Sequence, residues 1–274
     1  MELIAKAELL PEGFIPAVAG FFDGKILDSA VLIRYIEFDS YGNMFYRSGG
    51  GITINSNVDE EYMEMINKIY SIKEMLKFIE SIKVLNGDTP DINDHLLRVR
   101  RTLEYFYSKP KEEFDFISFV NDFLQRDRDE ILKGLFKLRV VYSDRFISGK
   151  LIPYIPKRIK RLKLVESDDI EYPFKFENRT AIDSLLSYKD KCDDILIVKN
   201  GVITDTSYSN IVFERMGNLY TPDSYLLAGT KRAKLIREGL IREEKIRPCD
   251  IDKYDKAYLI NSMLDLYPVE ALEF

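Results

Sequence analysis

The pattern of apolar and polar residues changes character near residue 72. Before that point, residues 29–38 alternate as a β-strand does, and residues 44–47 have the pattern of its hairpin partner. A glycine-rich turn follows, and then apolar residues recur at helical spacing after Asn57, which is a predicted N-cap. Residues 1–72 are therefore predicted to form a strand–strand–helix fragment.

A second segment begins with a predicted strand over residues 76–85, which a hairpin turn closes at Asn86-Gly87. A helix is predicted over residues 95–107, with Asn93 or Asp94 as its cap. Three short apolar runs bounded by turn residues are predicted to form a strand meander: residues 135–142, 146–154 and 159–165.

The last part of the chain mixes helices and strands. The pattern predicts helices over residues 178–188 and 229–238 and strands over residues 194–198, 202–204, 209–214 and 257–260. An Asn200-Gly201 turn joins two of these strands. Strands and helices do not alternate regularly, so the prediction is an α+β fold and not a doubly wound sheet.

Composition excludes several classes of protein. The charged fraction is 31% and the hydrophobic fraction 46%, which is ordinary for a globular protein. A formal net charge of -6 argues against a nucleic-acid binder, where a basic surface is expected. We find no apolar run long enough to cross a bilayer and no signal-peptide pattern, so we expect a cytoplasmic protein.

Histidine and cysteine are scarce, and this limits the chemistry. Cys192 and Cys249 have neither metal-ligand spacing nor the pattern of a disulfide framework. His95 is the one histidine, so a histidine-rich zinc site is excluded, and any Ser-His-Asp or Cys-His mechanism would need that residue. Acid–base chemistry must therefore use lysine, carboxylates, tyrosine or a cofactor.

Three pieces of the C-terminal half carry candidate chemistry. Lys175 lies among aromatic residues at a predicted strand-to-helix transition, where desolvation would lower its pKa, although such a lysine is more often a surface residue. Asp205 lies beside hydroxyl residues after a hairpin, a pattern that is usually turn chemistry. Gly229, Thr230 and Lys231 open a helix, whose first N–H groups suit a phosphate.

Together with two further pieces, these motifs resemble one family. The ordered set is similar to the fold-type IV, or class IV aminotransferase, enzymes, and it comprises residues 95–99, 172–179, 200–211, 226–232 and 259–263. The resemblance covers residues 75–274. It implies a small α/β subdomain over about residues 75–155, a larger barrel-like subdomain over about residues 156–274, and a homodimer that binds pyridoxal 5'-phosphate.

The resemblance implies a role for each matching residue. Lys175 would form the Schiff base with the cofactor and move the Cα proton. Asp205 falls where the family usually has a glutamate that faces the pyridine nitrogen, and aspartate is one methylene shorter. The phosphate would be held by the Arg98 side chain, the amides of Thr230 and Lys231, and Ser262. Arg139 is a candidate for a substrate carboxylate, and a solvent-facing arginine is the alternative.

The N-terminal part resembles a different family. Residues 14–70 are similar to the C-terminal end of chorismate-utilising enzymes, above all component I of aminodeoxychorismate synthase, on the motifs at residues 20–24, 29–37, 47–53 and 61–68. The resemblance implies that Arg34 and the amides of Gly50 and Gly51 hold chorismate carboxylates. Glu64, with Glu61 nearby, would bind Mg²⁺.

The N-terminal match is too short for a complete chorismate enzyme. We expect no synthase activity and interpret residues 1–72 as the tail of a longer or truncated fusion, whose intact form would have a glutamine amidotransferase partner. A synthase tail before a fold-type IV domain favours aminodeoxychorismate lyase, and residues 175–179 fit the K-x-x-N-R pattern of that enzyme. The alternatives are an aminotransferase acting on a branched-chain or other small amino acid, and a non-catalytic remnant.

Overall fold

The computed structural model describes residues 19–22, 27–30, 34–38, 44–48, 57, 76–107, 115–126, 131 and 133–273. The chain divides into two compact units, Met1–Met75 and Leu76–Phe274. In the described part of the chain, no helix is both long and apolar enough to span a membrane.

The described residues of the first unit form two antiparallel hairpins. Strand β1 (Ala19–Phe22) pairs with β2 (Leu27–Ala30), and β3 (Arg34–Phe38) pairs with β4 (Met44–Ser48). The single strand predicted over residues 29–38 is wrong, because β2 and β3 form hydrogen bonds with different partners.

The predicted chorismate and magnesium residues are only partly within the described chain. Arg34 is the first residue of β3, opposite Ser48. Gly50, Gly51, Glu61 and Glu64 lie outside the described residues, as does the helix predicted after Asn57.

The second unit begins with a three-stranded antiparallel sheet in the order β5 (Phe78–Leu85), β6 (Leu135–Tyr142) and β7 (Phe146–Pro153). Helices α1 (Ile92–Phe106) and α2 (Phe116–Arg126) contribute buried residues to the core on one face of this sheet. Alternate residues of each strand enter that core, as the two-residue period of a strand requires. The other face therefore presents a separate set of side chains.

A nine-stranded mixed sheet forms the rest of the unit. Its order is β13-β12-β11-β10-β9-β8-β16, with β14 beside β11 and β15 beside β14. The strands are β8 (Arg161–Glu166), β9 (Asp194–Lys199), β10 (Val202–Thr206), β11 (Asn210–Arg215), β12 (Asn218–Pro222), β13 (Arg242–Glu244), β14 (Lys256–Asn261), β15 (Leu264–Val269) and β16 (Ala271–Glu273). The mixed arrangement confirms the predicted α+β fold class.

The helices of this part are short. They are α3 (Thr180–Leu185), which continues as a 3₁₀ turn over Leu186–Tyr188, then α4 (Thr230–Arg237), and a 3₁₀ helix over Pro248–Lys253. Helix α3 follows the segment that contains Lys175, and α4 begins directly after Gly229. Both helices therefore start beside segments for which chemistry was predicted.

Three local predictions need correction. Strand β8 does not join the predicted meander, because it runs parallel to β9 and β16 in the larger sheet. Asn86-Gly87 forms the predicted turn with φ of 51° and 86°, yet it joins only an isolated bridge from Leu85 to Asp88. Helix α1 is capped by Asp91 and not by Asn93 or Asp94, which are already helical.

Candidate active site

Lys175 lies in an extended segment that is attached to the edge of β5. Its carbonyl accepts a hydrogen bond from the Ile79 N–H at 2.9 Å, and the Glu177 N–H donates to the Lys77 carbonyl at 2.7 Å. Phe174 and Phe176, on either side, pack against the aromatic core. Since neighbouring side chains of an extended segment point in opposite directions, the Lys175 side chain is directed away from that core.

The environment of Lys175 favours the neutral amine. Burial lowers its pKa to about 7, and the positive charges of Arg98 and Arg179 act in the same direction against the opposing charge of Glu80. A lysine with an ordinary pKa is almost entirely protonated near neutral pH. Lys175 therefore offers a nucleophilic amine where most lysines do not.

Asp205 is a buried carboxylate at the end of β10. Its Oδ1 accepts a hydrogen bond from Asn210 Nδ2 at 2.7 Å, and its Oδ2 accepts from the N–H groups of Leu226 (3.0 Å) and Leu227 (2.8 Å). Burial raises its pKa to about 6, although these donors act in the opposite direction. Asp205 is consequently ionised at neutral pH and fixed in position.

Arg98 is held by a buried acidic residue that the sequence analysis did not single out. Arg98 Nε and Nη2 donate to Glu80 Oε1 and Oε2 at 2.8 and 2.5 Å, and His95 Nδ1 lies 2.6 Å from Glu80 Oε2. Glu80 and His95 are both fully buried. Burial would raise the pKa of Glu80, but the charge and hydrogen bonds of Arg98, with those of His95, hold it at about 2.

This arrangement leaves one edge of the Arg98 guanidinium available. Its Nη1 makes no hydrogen bond to any of the residues described in the structure, whereas Nε and Nη2 are both used by Glu80. A guanidinium fixed on one side by a carboxylate can present its remaining N–H groups to an anion without losing further side-chain entropy.

The start of α4 forms the opposite wall. Gly229 has no side chain to displace Asn210, whose side-chain oxygen would overlap any Cβ at position 229. Asn210 in turn donates to Asp205 and to the Leu227 carbonyl at 3.1 Å. The first N–H groups of α4, beginning at Thr230, have no partner within the helix, and such groups attract anions.

One cavity brings these groups together. It encloses about 540 Å³, including the part open to solvent, and its walls come from α1, the segment around Lys175, the start of α4 and the larger sheet. The lining residues are Arg98, Tyr172, Lys175, Arg179, Ile182, Asp205, Thr206, Ser207, Tyr208, Ser209, Asn210, Leu226, Leu227, Gly229, Thr230, Asn261 and Ser262.

Five predicted cofactor residues line the cavity, and two other predicted residues do not. Lys231 follows Thr230, but its side chain binds Asp265 at 2.5 Å, so only its backbone N–H is suited to the predicted role. Arg139 is outside the lining and donates to Glu177 at 2.8 Å. The Ser262 hydroxyl donates to the Ser81 carbonyl at 2.6 Å, so its proton is already used.

The alternation of β5 contained the signal that would have found Glu80. Phe78, Glu80 and Ile82 occur at every second position, and two of the three are apolar, so a carboxylate among them must be buried with a partner. His95 and Arg98 are three residues apart on α1 and therefore share one helix face. No local pattern shows that this face meets β5.

We expect Glu80→Gln to destabilise the cofactor-free protein by about 3 kcal/mol, because it leaves Arg98 partly buried without its counter-charge. The free energy of unfolding in urea is the measurement. The matched control is Glu177→Gln, which breaks the Arg139 ion pair, whose side chains are 34% and 33% exposed. We expect less than about 1 kcal/mol from that change. Equal losses in the two variants would contradict the role assigned to Glu80.

The cavity residues fit pyridoxal phosphate. An amine that is neutral near pH 7 suits an aldehyde, and a buried ionised carboxylate suits a protonated ring nitrogen. Arg98 Nη1 and the first N–H groups of α4 suit a phosphate. The cavity therefore supplies a group for the aldehyde, the ring nitrogen and the phosphate of the cofactor.

Comparisons with known proteins agree with this reading of the second unit. A protein of Haemophilus influenzae with no functional name is 33% identical over 190 residues, which is 69% of this chain and 98% of that relative. A crystal structure from Haemophilus somnus, described as a "putative 4-amino-4-deoxychorismate lyase", is 31% identical with a TM-score of 0.63. The match covers 70% of this chain and 98% of that chain.

The N-terminal residues match other proteins. Residues 1–74 match the family model described as chorismate binding enzyme. An uncharacterized PabA-like protein of Pasteurella multocida is 46% identical over 70 residues, which is 26% of this chain and 21% of that relative.

Residues 77–272 match the family model described as amino-transferase class IV. Because that match covers more than half of the chain, the chain belongs to the class IV amino-transferase family.

Proposed function

We propose that this protein is a pyridoxal-phosphate-dependent lyase that converts aminodeoxychorismate to p-aminobenzoate and pyruvate. The observation that carries the proposal is the single cavity in which Lys175, Asp205, Arg98 and the start of α4 meet. The bound cofactor would supply a conjugated ring that accepts the electron pair left when a carbon–hydrogen bond beside the substrate amine breaks. The chain's own residues supply the rest.

Lys175 has two tasks in this proposal. Above about pH 7 its amine is neutral, so Lys175 would be the residue that holds the cofactor through its aldehyde. With the substrate amine bonded to the cofactor in place of Lys175, Nζ of Lys175 would be free to take the proton from the ring carbon that bears that amine. The C–O bond to the enolpyruvyl group then breaks, the carbocycle becomes aromatic, and the proton leaves with pyruvate. Atoms balance without water.

Asp205 and Arg98 hold the two ends of the cofactor. Asp205 keeps a negative charge where the ring nitrogen would lie, and its three N–H donors prevent it from turning away. Arg98 and the first amides of α4 would bind the phosphate, while Glu80 keeps the guanidinium in place. These contacts orient the reacting carbon toward Lys175.

The choice of lyase over aminotransferase is supported by association. The Haemophilus somnus relative carries, provisionally, the name of this lyase. Residues 1–74 match a chorismate-binding model, and a synthase fused to this lyase would catalyse consecutive steps. We interpret residues 1–72 as the C-terminal fragment of the synthase part of such a fusion. A homodimer, a cytoplasmic location, an amidotransferase partner and Mg²⁺ binding in an intact synthase stay predictions.

The test is pyruvate release by the purified protein loaded with pyridoxal phosphate. We expect aminodeoxychorismate to yield equal amounts of pyruvate and p-aminobenzoate, measured with lactate dehydrogenase and by chromatography. Glutamate should yield no 2-oxoglutarate in the same preparation. Transamination of glutamate without pyruvate release would overturn the proposal in favour of a class IV aminotransferase.

A further inference from the structure

The face of the three-stranded sheet opposite its apolar core carries four basic residues. They alternate with the core residues of β5, β6 and β7, and they are Lys83, Lys137, Arg139 and Lys150. We call this set the basic face. The register places Lys83 directly opposite Lys137, and Arg139 directly opposite Lys150.

Like charges in directly opposed positions destabilise an antiparallel sheet, because their Cβ atoms are only about 5 Å apart. The described residues compensate them only in part. Arg139 donates to Glu177 at 2.8 Å, and Lys83 lies 3.6 Å from Asp265, which also binds Lys231. Lys137 and Lys150 have no ion-pair partner in the described ranges. The basic face therefore has unneutralised positive charge.

The basic face borders the cavity without lining it. Ser81 lies on this face opposite Arg139, and its carbonyl accepts the hydroxyl of Ser262, a cavity residue. At the edge of β5, the Ile79 N–H donates to the Lys175 carbonyl, and Phe176 pairs with Phe78, so the Lys175 side chain lies on the same side of the sheet as Ile79 and the basic face. Burial is the main reason that the pKa of Lys175 is lowered, and the charge of Lys137 contributes in the same direction. An anion on the basic face would thus lie beside the reacting amine.

We propose that the basic face binds the two carboxylates of a dianionic cyclic substrate while its amino group reaches Lys175. The inference rests on the proposed function and specifies its substrate class. Each like-charge pair would receive one carboxylate. The pairs are two residues apart along β6, about 7 Å, a spacing that a six-membered ring with two carboxylate-bearing substituents can span.

The geometry explains why repulsive pairs are tolerated at this place. A carboxylate between two opposed cations turns the repulsion into two charge-assisted hydrogen bonds. The side chain of Lys83 is only 16% exposed, so water screens its charge poorly and an anion is bound more strongly. A substrate with one carboxylate would leave one pair uncompensated, and the face therefore selects for dianions.

Chorismate is a suitable probe for the cofactor-loaded protein, because it has two carboxylates and no amino group that could bond to the cofactor. Its affinity can be measured by calorimetry for wild type, Lys137→Gln and Lys83→Gln, with benzoate as the one-carboxylate comparison. We expect each substitution to weaken chorismate binding about tenfold or more, the effect of losing a hydrogen bond to a charged group. Lys191→Gln, at an exposed lysine elsewhere, should leave the affinity unchanged.

Thermal unfolding without chorismate separates binding from a structural role. Lys150→Gln relieves the repulsion with Arg139, so we expect its melting temperature to rise by about 1–3 °C while its chorismate affinity falls. A structural role for Lys150 would lower both quantities. Chorismate affinities unchanged in Lys137→Gln and Lys83→Gln would overturn the inference.

The two proposals fail separately. Lysine-dependent chorismate binding in a protein that releases no pyruvate would support the basic face and overturn the lyase. Pyruvate release with an unchanged kcat/KM in Lys137→Gln and Lys83→Gln would support the lyase and overturn the basic face.

Discussion

Lys175→Ala is expected to lower kcat/KM for aminodeoxychorismate by about three orders of magnitude or more, since one substitution removes both the nucleophile and the base. The visible absorbance of the lysine-bound cofactor should disappear from the same protein. Absorbance spectra and pyruvate release are the two measurements. The control is Lys191→Ala, at an exposed lysine that does not line the cavity. A variant at position 175 that stays yellow and active would contradict the assignment.

The same substitution should stabilise the cofactor-free protein. The pKa of Lys175 is about 7 in the folded state against 10.5 for an ordinary lysine, so between these values the unfolded chain binds more protons. The contribution of Lys175 to the free energy of unfolding of the wild type therefore rises with pH between about 7 and 10.5. Burying Lys175 destabilises the protein most below about pH 7, where the amine is protonated. We expect the free energy of unfolding in urea to be about 1–3 kcal/mol larger for Lys175→Ala than for wild type near pH 6. The difference should disappear near pH 10.

Asp205→Asn is expected to lower kcat/KM about 10²- to 10³-fold, comparable with the loss of one fixed electrostatic contact in other active sites. The amide removes the negative charge at the ring-nitrogen end of the cavity. In the wild type the Asp205 oxygens accept hydrogen bonds from Leu226, Leu227 and Asn210. The side-chain amide introduced at position 205 would replace one of those oxygens with an NH₂ group, which would then face N–H donors. Steady-state pyruvate release measures the effect.

Two variants serve as controls for Asp205→Asn. Asp205→Glu keeps the charge and has the length usual in the family, so its loss should stay within about tenfold. Asp223→Asn changes an exposed aspartate and should have no effect. Wild-type activity should fall as the pH drops from about 7 to about 6, where Lys175 and then Asp205 become protonated. An Asp205→Asn protein as active as wild type would show that the carboxylate does not contact the cofactor.

Much of the fold could be predicted because local patterns decided it. Asn200-Gly201 forms the expected turn, with φ of 51° and 72°. The strand predicted over residues 135–142 is Leu135–Tyr142 in the structure. In each case the residues themselves prefer the observed backbone, and tertiary contacts only reinforce that preference.

Other elements depend on partners that are distant in sequence. Strand β13 (Arg242–Glu244) consists of charged residues and exists because it pairs in parallel with β12. Strand β16 (Ala271–Glu273) similarly pairs with β8. Helix α2 is different, since Phe116, Val120 and Leu124 have helical spacing and all three are buried, so it could have been predicted.

The capping error on α1 has a similar cause. Asp94 was a reasonable cap by residue type, but its carboxylate binds Arg237 at 2.8 Å, 143 positions away. The actual cap, Asp91, makes no side-chain capping bond, and its carboxylate instead binds Lys234 at 2.6 Å. The carboxylates of Asp91 and Asp94 thus form ion pairs with α4 and not capping hydrogen bonds within α1. The sequence around α1 does not contain these partners.

The close approach of Gly229 to Asn210 has a consequence for how this protein can evolve. Asn210 holds Asp205 in place through a hydrogen bond. The side-chain oxygen of Asn210 lies so close to position 229 that a Cβ there would overlap it. A lineage that placed any side chain at position 229 would first have to shorten residue 210, and would then lose a donor to the acid. We therefore expect positions 210 and 229 to change together, although neither contributes a group that reacts.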